Sequence, residues 1–525
     1  MKTPLLITDF LRRANDLFSG KQIVQYQRGG ELHRYDYREY HDRVVRLAGA
    51  LVDMGVRSGD RVATLAWNHS RHLELYLAVP LAGAVLHTVN LRLTPDEIGY
   101  IVEHAEDRVL FADSSLLDRL SIARGLRPEM PIVAIDEHDG ADGGLVRNYE
   151  DLLSGPPLDE QPPLDEDDLA ALCYTSGTTG RPKGVGYSHR ALYLHTFAAC
   201  LADGHAISEQ DTVLHVVPMF HANAWGIPLA ATMSGANQVL PGPHPTPEEI
   251  ARIIEAERIT YVGMVPTVAV DVLKHVEDCG TDLSSLRALV LGGSSPSTEL
   301  VRSLEEGLGV PVYQGWGMTE ISPMGTFSRP PATEHDSSAR HTYIRTQGRL
   351  LPGLQWQLMD DEGERVAHDG RAKGELLLRG PWVASSYYRG EHPEAFVDGW
   401  LRTGDVATIS PDGYLEIIDR TKDLIKSGGE WISSVALEEV LLQHPAVLRA
   451  AVVAVPHERW QERPLAVVVL DEQQRSDPDE LTAHLRERIP RWWLPERILI
   501  TEELPQTGVG KIDKGALRAS VSADP

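Results

Sequence analysis

Near the middle of the chain, hydroxyl and glycine residues alternate ahead of a basic segment, in the stretch Tyr174-Thr-Ser-Gly-Thr-Thr-Gly-Arg-Pro-Lys-Gly184. Glycine lets backbone N–H groups approach an anion closely, and the neighbouring hydroxyls and Lys183 add donors and a positive charge. This stretch predicts a phosphate-binding loop. It is not a Walker loop, because Gly184 rather than Ser or Thr follows the lysine. Composition alone also fits a surface loop, but the apolar run 169–174 predicts a buried strand that delivers a binding loop.

A second glycine-rich segment, Gln314-Gly-Trp-Gly-Met-Thr-Glu320, combines other groups that a nucleotide site needs. Trp316 offers a flat face to a base, and Thr319 is a hydroxyl donor. Glu320 could hold Mg²⁺ beside phosphates. Taken alone, the segment fits equally well a glycine-rich loop with an incidental acid.

Asp405 ends the segment Trp400-Leu-Arg-Thr-Gly-Asp405. We expect a turn here, in which the carboxylate could accept both hydroxyls of a ribose. The alternative is an Asx turn, which is common at such sequences.

Basic residues cluster in the segment 418–430 of this otherwise acidic protein, at Arg420, Lys422 and Lys426. Ser427-Gly-Gly429 follows them and predicts a second site of close backbone approach. A solvated charged loop is the alternative.

Two further segments carry a candidate cation and a candidate histidine. Leu504-Pro-Gln-Thr-Gly-Val-Gly-Lys511 fails the Walker pattern, but Lys511 on a glycine-rich tip could act as a catalytic cation supplied by another domain. Alone it would be a flexible C-terminal turn. His221 lies among apolar and aromatic residues in Pro218-Met-Phe-His-Ala-Asn-Ala-Trp225, where a structural histidine is the simpler interpretation.

Composition excludes several classes of protein. The 525 residues carry 50 Lys plus Arg and 76 Asp plus Glu, a net charge of −26, which argues against nonspecific nucleic-acid binding. The three cysteines form no C-x-x-C pair, so we expect neither disulfides nor a zinc site. The longest apolar stretch, 77–89, is shorter than the ~20 residues of a spanning helix. We expect a cytoplasmic, soluble protein.

Alternating helical and strand patterns in the first half predict an α/β fold with largely parallel sheets. Thr94-Pro-Asp-Glu97 and Thr246-Pro-Glu-Glu249 each combine an N-cap, an N1 proline and a capping-box glutamate, and so predict helix starts. Short strands with Gly and Asp turns predict an antiparallel β-rich subdomain over about 348–420. The remaining segment reads as a small α+β domain. We therefore place an N-terminal domain at 1–420 and a C-terminal domain at 421–525.

The order and spacing of these motifs resemble the adenylate-forming superfamily, which includes acyl-CoA synthetases, firefly luciferase and peptide-synthetase adenylation domains. The resemblance covers essentially the whole chain. It is closest to bacterial medium- and long-chain fatty acid–CoA ligases, in the segments 218–225, 315–320, 427–434 and 492–495. The resemblance implies a large N-terminal domain of layered α/β subdomains plus a β-rich subdomain, followed by a small mobile C-terminal domain. It also allows a homodimer, which nothing in the sequence demonstrates.

The chemistry implied by the resemblance is ATP-dependent formation of an acyl-AMP from a carboxylic acid, with Mg²⁺, followed by transfer to CoA. Lys511, His221, Thr179 and Glu320 would be catalytic, and Thr179 and Glu320 would hold the metal. Lys422 would be the hinge, and His221, Trp225, Val265 and Gly317 would contact the acid. ATP and CoA would be bound by Thr175, Ser176, Gly177, Thr178, Thr179, Gly180, Lys183, Gly293, Ser294, Gln314, Gly315, Trp316, Gly317, Met318, Thr319, Asp405, Arg420, Lys426, Ser427, Gly428, Gly429 and Trp431.

Three positions depart from the pattern of relatives. Gly186 and Ala269 are smaller than the usual residues, and Ser295 replaces a usual alanine. Since Ala269 is expected near the acyl pocket, the preferred acid and its chain length stay open. The alternatives are adenylation of an aryl acid, an amino acid or nitrite, with a carrier protein or an amine as acceptor. A non-catalytic acyl-nucleotide-binding protein is a third, against which Lys511, Glu320 and Thr179 argue.

Overall fold

The computed structural model describes residues 3–27, 31–136, 146–175, 181–360, 362–427, 430–471, 474, 476–505 and 512–522. The chain divides into two compact units. The first unit comprises Met1–Thr175, Pro182–Gln355 and Arg379–Leu401, and the second includes Trp356–Leu378 and Arg402–Pro525. The expected domain boundary at 420/421 stays a prediction.

The α-helices follow one another through both units. In chain order they are α1 (Thr8–Phe18), α2 (Tyr37–Asp53), α3 (Ser70–Leu81), α4 (Pro95–Ala105), α5 (Ser121–Leu126), α6 (Tyr149–Leu152), α7 (His189–Cys200), α8 (Ile227–Ser234), α9 (Pro247–Ala256), α10 (Pro266–Cys279), α11 (Thr298–Leu308), α12 (Ser337–Arg345), α13 (Ser434–Leu442), α14 (Pro478–Arg486) and α15 (Lys514–Ser522).

The strands alternate with these helices up to residue 350 and dominate thereafter. In chain order they are β1 (Gln22–Tyr26), β2 (Leu32–Asp36), β3 (Arg61–Leu65), β4 (Val85–Thr88), β5 (Val109–Ala112), β6 (Ile132–Ala134), β7 (Val146–Asn148), β8 (Leu169–Thr175), β9 (Lys183–Ser188), β10 (Thr212–Leu214), β11 (Asn237–Leu240), β12 (Tyr261–Met264), β13 (Ala288–Leu291), β14 (Val312–Gly317), β15 (Met324–Phe327), β16 (Arg349–Leu350), β17 (Gln355–Met359), β18 (Gly374–Arg379), β19 (Phe396–Val397), β20 (Trp400–Ile409), β21 (Leu415–Arg420), β22 (Ile425–Ser427), β23 (Glu430–Ile432), β24 (Val447–His457), β25 (Gln461–Leu470) and β26 (Arg497–Ile500).

The first unit contains two large sheets. One has the order β7-β6-β5-β3-β4-β8-β9, and its strands are parallel except for the antiparallel pair β8/β9. The other has the order β16-β15-β14-β13-β12-β10-β11-β1-β2, with antiparallel pairs at its two ends. Parallel strands are buried on both faces, which explains the continuous apolar run of β5. The predicted α/β class is confirmed.

Local sequence signals set the helix starts. Both predicted capping boxes form, at Thr94 with Glu97 and at Thr246 with Glu249. Each box satisfies two backbone N–H groups that the first helical turn leaves without a partner. Helices α4 and α9 therefore begin where the sequence predicts.

The core of the first unit is rich in large aromatic and aliphatic side chains. Helices α9, α10 and α11 bury one apolar stripe each in a cluster with β12 and β13. A larger cluster includes the fully buried Tyr37, Tyr40, Leu47, Phe111 and Tyr149. These packed layers give the strand ends a fixed position.

The second unit combines β20 and β21, which pair antiparallel, with a sheet of order β23-β22-β25-β24 whose β25 also pairs with β26 in parallel. Leu437 of α13 and Leu485 of α14 pack in its core. Helix α14 ends at Arg486, four residues before Pro490. Pro490 disfavours helical backbone at the residue before it.

One local prediction was wrong. Asp405 does not lie in a turn: it lies within the continuous strand β20. The preceding Gly404 has φ +70°, a conformation that glycine adopts without strain. The register partner of Asp405 is Arg420 on β21, and this pairing extends the strand through the expected turn.

The helices in the described ranges include none that is both long and apolar enough to cross a membrane.

Candidate active site

Strands β8 and β9 hold the two ends of the predicted phosphate loop. They pair antiparallel, with Thr175 opposite Lys183 and Tyr174 opposite Gly184. The buried apolar strand predicted ahead of the loop is therefore present. The residues between these ends, Ser176, Gly177, Thr178, Thr179 and Gly180, lie outside the described residues, and their roles stay predictions.

Tyr174 anchors the start of this loop. Its hydroxyl lies 2.7 Å from Nδ1 of His104, a residue of α4 that belongs to none of the predicted motifs. A Cβ on Gly184 would lie 3.2 Å from the ring of Tyr174 and 2.8 Å from Cβ of Tyr388. A larger residue at position 184 would clash with these two tyrosines, so a glycine is required there.

The segment 314–320 forms β14 and a short 3₁₀ turn, Thr319–Ile321. A Cβ on Gly317 would lie 2.0 Å from the carbonyl oxygen of Pro323, so a glycine is required there. The N–H of Met318 donates to the same oxygen at 3.0 Å. Trp316 is half-buried, and its ring lies against Gly325. These contacts fix the backbone that carries the candidate base-stacking and acidic residues.

Glu320 is a buried carboxylate, 7% exposed, with a defined partner. Its Oε1 accepts a hydrogen bond from the hydroxyl of Tyr387 at 2.6 Å. Its carbonyl oxygen accepts from the N–H of Ala384 at 2.8 Å, and the carbonyl of Thr319 accepts from the hydroxyl of Tyr187 at 2.7 Å. Side chain and backbone are thus held independently.

A magnesium site at Glu320 is compatible with these contacts. In the described part of the chain, no cluster of three or more His, Cys, Asp or Glu side chains could hold a metal alone. Mg²⁺ at nucleotide sites is usually held by one or two carboxylates together with substrate phosphates. Glu320 is a single positioned carboxylate, and its partner Tyr387 also contacts Lys183 at the far end of the predicted phosphate loop.

His221 precedes a backbone segment with unusual geometry. Ala222, Asn223, Ala224, Trp225 and Gly226 have φ values of 44°, 49°, 50°, 59° and 75°. The left-handed conformation costs roughly 1–2 kcal/mol for each residue with a Cβ. Four such residues in succession must therefore be held by their surroundings.

Asn223 supplies one such contact from inside this left-handed turn. Its Oδ1 accepts from Sγ of Cys173 at 3.2 Å and from Oγ1 of Thr88 at 3.5 Å. Cys173 belongs to β8, immediately before the stretch 174–184 that predicts the phosphate loop. The turn that carries Trp225 is thus bonded to the strand that delivers the loop.

The indole of Trp225 lies against two glycines at the carboxyl ends of neighbouring parallel strands. A Cβ on Gly292 would lie 2.6 Å from this ring, and one on Gly263 would lie 3.3 Å from it. A Cβ on Gly293 would likewise lie 3.2 Å from the side chain of Val265. The structure therefore brings together Trp225 and Val265, predicted to contact the acid, with Gly293, predicted to contact the nucleotide. This edge is where α/β sheets commonly bind ligands.

Two of the positions that depart from relatives, Ala269 and Ser295, have different surroundings. Ala269 is fully buried in the apolar core formed with α10. Oγ of Ser295 accepts from the side-chain amide of Gln347 at 2.6 Å.

In the second unit, the carboxylate predicted to hold ribose forms an ion pair. Asp405 is 2% exposed, and its Oδ1 lies 2.6 Å from Nε of Arg420, its cross-strand neighbour. Nη1 of Arg420 also donates to the carbonyl of Thr403 at 3.3 Å. The predicted pair is therefore assembled on β20 and β21.

The basic segment that follows is partly described. Nζ of Lys426 lies 4.3 Å from the ring centre of Trp431, and Oγ of Ser427 accepts from Nη1 of Arg463 at 3.1 Å. Lys422 lies in the turn between β21 and β22, and its carbonyl accepts from Arg518 at 3.2 Å. Gly428, Gly429 and Lys511 lie outside the described residues.

The chain belongs to the AMP-binding enzyme family. The sequence model of this family matches residues 11–388, and the model of the AMP-binding enzyme C-terminal domain matches residues 436–511. The fold agrees: the crystal structure of the anthranilate CoA ligase AuaEII in complex with anthranoyl-AMP superposes with a TM-score of 0.89 at 26% identity, covering 100% of this chain and 98% of that one.

Individual relatives are similar over their whole length. A long-chain-fatty-acid–CoA ligase of Thermus thermophilus is 47% identical, covering 99% of this chain and 96% of the relative. A medium-chain-fatty-acid–CoA ligase of Ectopseudomonas oleovorans is 40% identical, with the same two coverages. The predicted resemblance to the adenylate-forming superfamily is confirmed.

Proposed function

We propose that the protein activates a medium- or long-chain fatty acid with ATP, releasing pyrophosphate, and transfers the acyl group from acyl-AMP to CoA. The observation that carries this proposal is the 47% identity with a long-chain-fatty-acid–CoA ligase along 99% of the chain. The pairing of Thr175 with Lys183 and the hydrogen-bonded carboxylate of Glu320 support it.

In the first half-reaction, a carboxylate oxygen of the acid attacks the α-phosphate of ATP, and pyrophosphate leaves. The protein must orient the triphosphate and neutralise its charge. Lys183, Thr175 and the predicted loop would contact the phosphates, while Trp316 would stack on the adenine. When bound, Mg²⁺ would neutralise phosphate charge, and Glu320 with Thr179 would hold it.

The ribose and the second half-reaction depend on residues of the second unit. Asp405 and Arg420 would hold the ribose. Lys511 would contact the acid and the α-phosphate, and would then be withdrawn by rotation at Lys422. Such conformational steps commonly separate two reactions at one centre.

The thiol of CoA then attacks the acyl carbon and AMP leaves. The predicted contacts to the CoA arm are the residues Lys426, Ser427, Gly428, Gly429 and Trp431, and His221 would border the channel.

A second candidate substrate is an aryl acid. It is favoured by the similarity to the anthranilate CoA ligase. An amino acid or nitrite as the substrate, and a carrier protein or an amine as the acceptor, stay open. A cytoplasmic location and a homodimer stay predictions.

ATP–pyrophosphate exchange across a panel of acids tests the proposal. The panel runs from butyrate to stearate and includes benzoate, anthranilate, amino acids and nitrite. We expect exchange with the straight-chain acids and thioester formation only when CoA is added. Exchange with none of the aliphatic acids would contradict the proposed substrate, and product formation with an amine instead of CoA would contradict the proposed acceptor.

A further inference from the structure

Tyr387 lies between two predicted nucleotide-binding side chains that come from different parts of the sequence. Its hydroxyl donates to Oε1 of Glu320 at 2.6 Å, and the Nζ of Lys183 lies 5.0 Å from its ring centre. We propose that Tyr387 is a positioning residue of the nucleotide site, which orients the carboxylate through its hydroxyl and the ammonium through its ring. This inference rests on the proposed function, because that function gives Glu320 and Lys183 their roles.

The hydroxyl of Tyr387 acts on the direction of the Glu320 carboxylate. Hydrogen bonds to an ionised acceptor are shorter and stronger than neutral ones. A bond to Oε1 fixes the rotation of the carboxylate about its last side-chain bond, and therefore the direction of both oxygens. Since Mg²⁺ requires near-ideal octahedral geometry, the orientation of its carboxylate ligand affects how well it binds.

The ring of Tyr387 acts on Lys183. A lysine ammonium within about 6 Å of an aromatic ring centre is attracted by the negative face of the ring. The lysine side chain has a flexible four-carbon stem, so a ring contact restricts where its charge lies. Lys183 is the first residue of β9, opposite Thr175, and its charge is thereby kept beside the end of the predicted phosphate loop.

Tyr387 is itself held firmly. It is 6% exposed, and its ring packs edge-on against Phe396 with 5.5 Å between ring centres. Two residues further on, Arg389 forms an ion pair with Glu106 at 2.7 Å. Packing alone would require only the ring, so the hydroxyl contact to Glu320 separates a positioning role from a purely structural one.

The test compares ATP affinity with and without metal. Isothermal titration calorimetry gives the dissociation constant of ATP in Mg²⁺ and in EDTA. The EDTA value divided by the Mg²⁺ value measures how much the metal strengthens ATP binding. For Tyr387→Phe we expect this ratio to fall about tenfold with the EDTA affinity unchanged, because the ring is retained. For Tyr387→Leu we expect the EDTA affinity to fall about threefold as well.

The matched control is Tyr26→Phe. Tyr26 also donates from its hydroxyl, which is partly buried, to a glutamate, Oε1 of Glu257, at 3.0 Å. This control should leave the ratio unchanged even where it lowers the melting temperature. Thermal unfolding of every variant identifies any that is not folded. If the ring acts through Lys183, Tyr387→Leu should lower the ATP affinity in EDTA no further in a protein that already carries Lys183→Met.

A double-variant cycle makes the assignment specific. If Tyr387 acts through the carboxylate, Tyr387→Phe should lower the metal ratio no further in a protein that already carries Glu320→Gln. An unchanged ratio in Tyr387→Phe alone, or a full further fall in the double variant, would overturn the inference. Failure of the proposed function has another signature: wild-type protein would show the metal-dependent ATP affinity but no exchange with any acid.

Discussion

The two sides of the candidate site are held in different ways. On the predicted nucleotide side, Lys183, Glu320 and Tyr387 are fixed by a ring contact and a short hydrogen bond. On the predicted acid side, Trp225 is fixed by close packing against Gly263 and Gly292. Directional contacts require particular residue types, whereas packing requires only complementary volume. Sequence motifs therefore predict more of the nucleotide side than of the acid side.

His195 connects the two sides. Its Nε2 accepts a hydrogen bond from the N–H of Met324, four residues after Glu320, at 3.2 Å. Its ring also closes on Gly226, where a Cβ would lie 2.6 Å away. We therefore expect a change in the left-handed turn 222–226 to shift His195, and with it the backbone at Met324.

The largest expected effect belongs to Lys511→Ala, which removes the cation predicted to contact both the acid and the α-phosphate during acyl-AMP formation. Loss of a positioned cation should slow acyl-AMP formation by about 10²–10³-fold, while transfer of supplied acyl-AMP to CoA stays near the wild-type rate. Separate assays of the two half-reactions measure this, with the exposed Lys274→Ala as control. Equal loss of both steps would contradict the two-conformation mechanism.

Gly292→Ala tests whether the acid side is set by packing. The new Cβ would meet the Trp225 indole at 2.6 Å and displace it. We expect the ratio of the kcat/KM values for two different acids to change by about 10–100-fold. A difference of one methylene in a hydrophobic pocket typically changes discrimination between substrates by this factor. The KM for ATP should change less.

The control for this variant is Gly20→Ala, where a Cβ meets nothing within 4 Å. Unchanged acid selectivity in Gly292→Ala, measured with the same panel of acids, would show that the indole does not line the acid site.

The smallest effect concerns stability, at the residue between the two sides. Burial lowers the pKa of His195 to about 3. The unfolded chain therefore binds a proton below about pH 6.5 that the folded chain rejects, so this stabilising contribution is complete above that pH and is lost as the pH falls towards 3. From about pH 7 to about pH 5 the loss is about 2 kcal/mol.

In His195→Gln, whose amide oxygen can still accept from Met324, we expect this part of the pH dependence to disappear. Urea unfolding at the two pH values measures the difference between variant and wild type. An identical loss in both proteins would contradict the buried neutral state of His195.

What the sequence could predict was local. Helix starts at Thr94 and Thr246 were correct because all the interacting groups lie within four residues. The turn at Asp405 was wrong because the partner strand that straightens it lies fifteen residues further along the chain, at Arg420. Tyr387 was missed because its partner Glu320 is 67 residues away.

The left-handed turn also gave no signal in the sequence. Alanine and tryptophan have no preference for positive φ, so Ala222, Ala224 and Trp225 carry no local mark of it. The turn exists because side chains such as Cys173 and Thr88, from two other strands, hold Asn223. Long-range contacts of this kind decide the acid side.

The position of Tyr387 along the chain has a consequence for biosynthesis. The N-terminus of a chain emerges from the ribosome first, and domains commonly fold as they emerge. The first unit, however, is not contiguous: its last segment, Arg379–Leu401, follows residues of the second unit. Both sheets of the first unit have emerged once residue 350 is exposed. The contacts of Glu320 and Lys183 to Tyr387 form only after translation has passed this later segment.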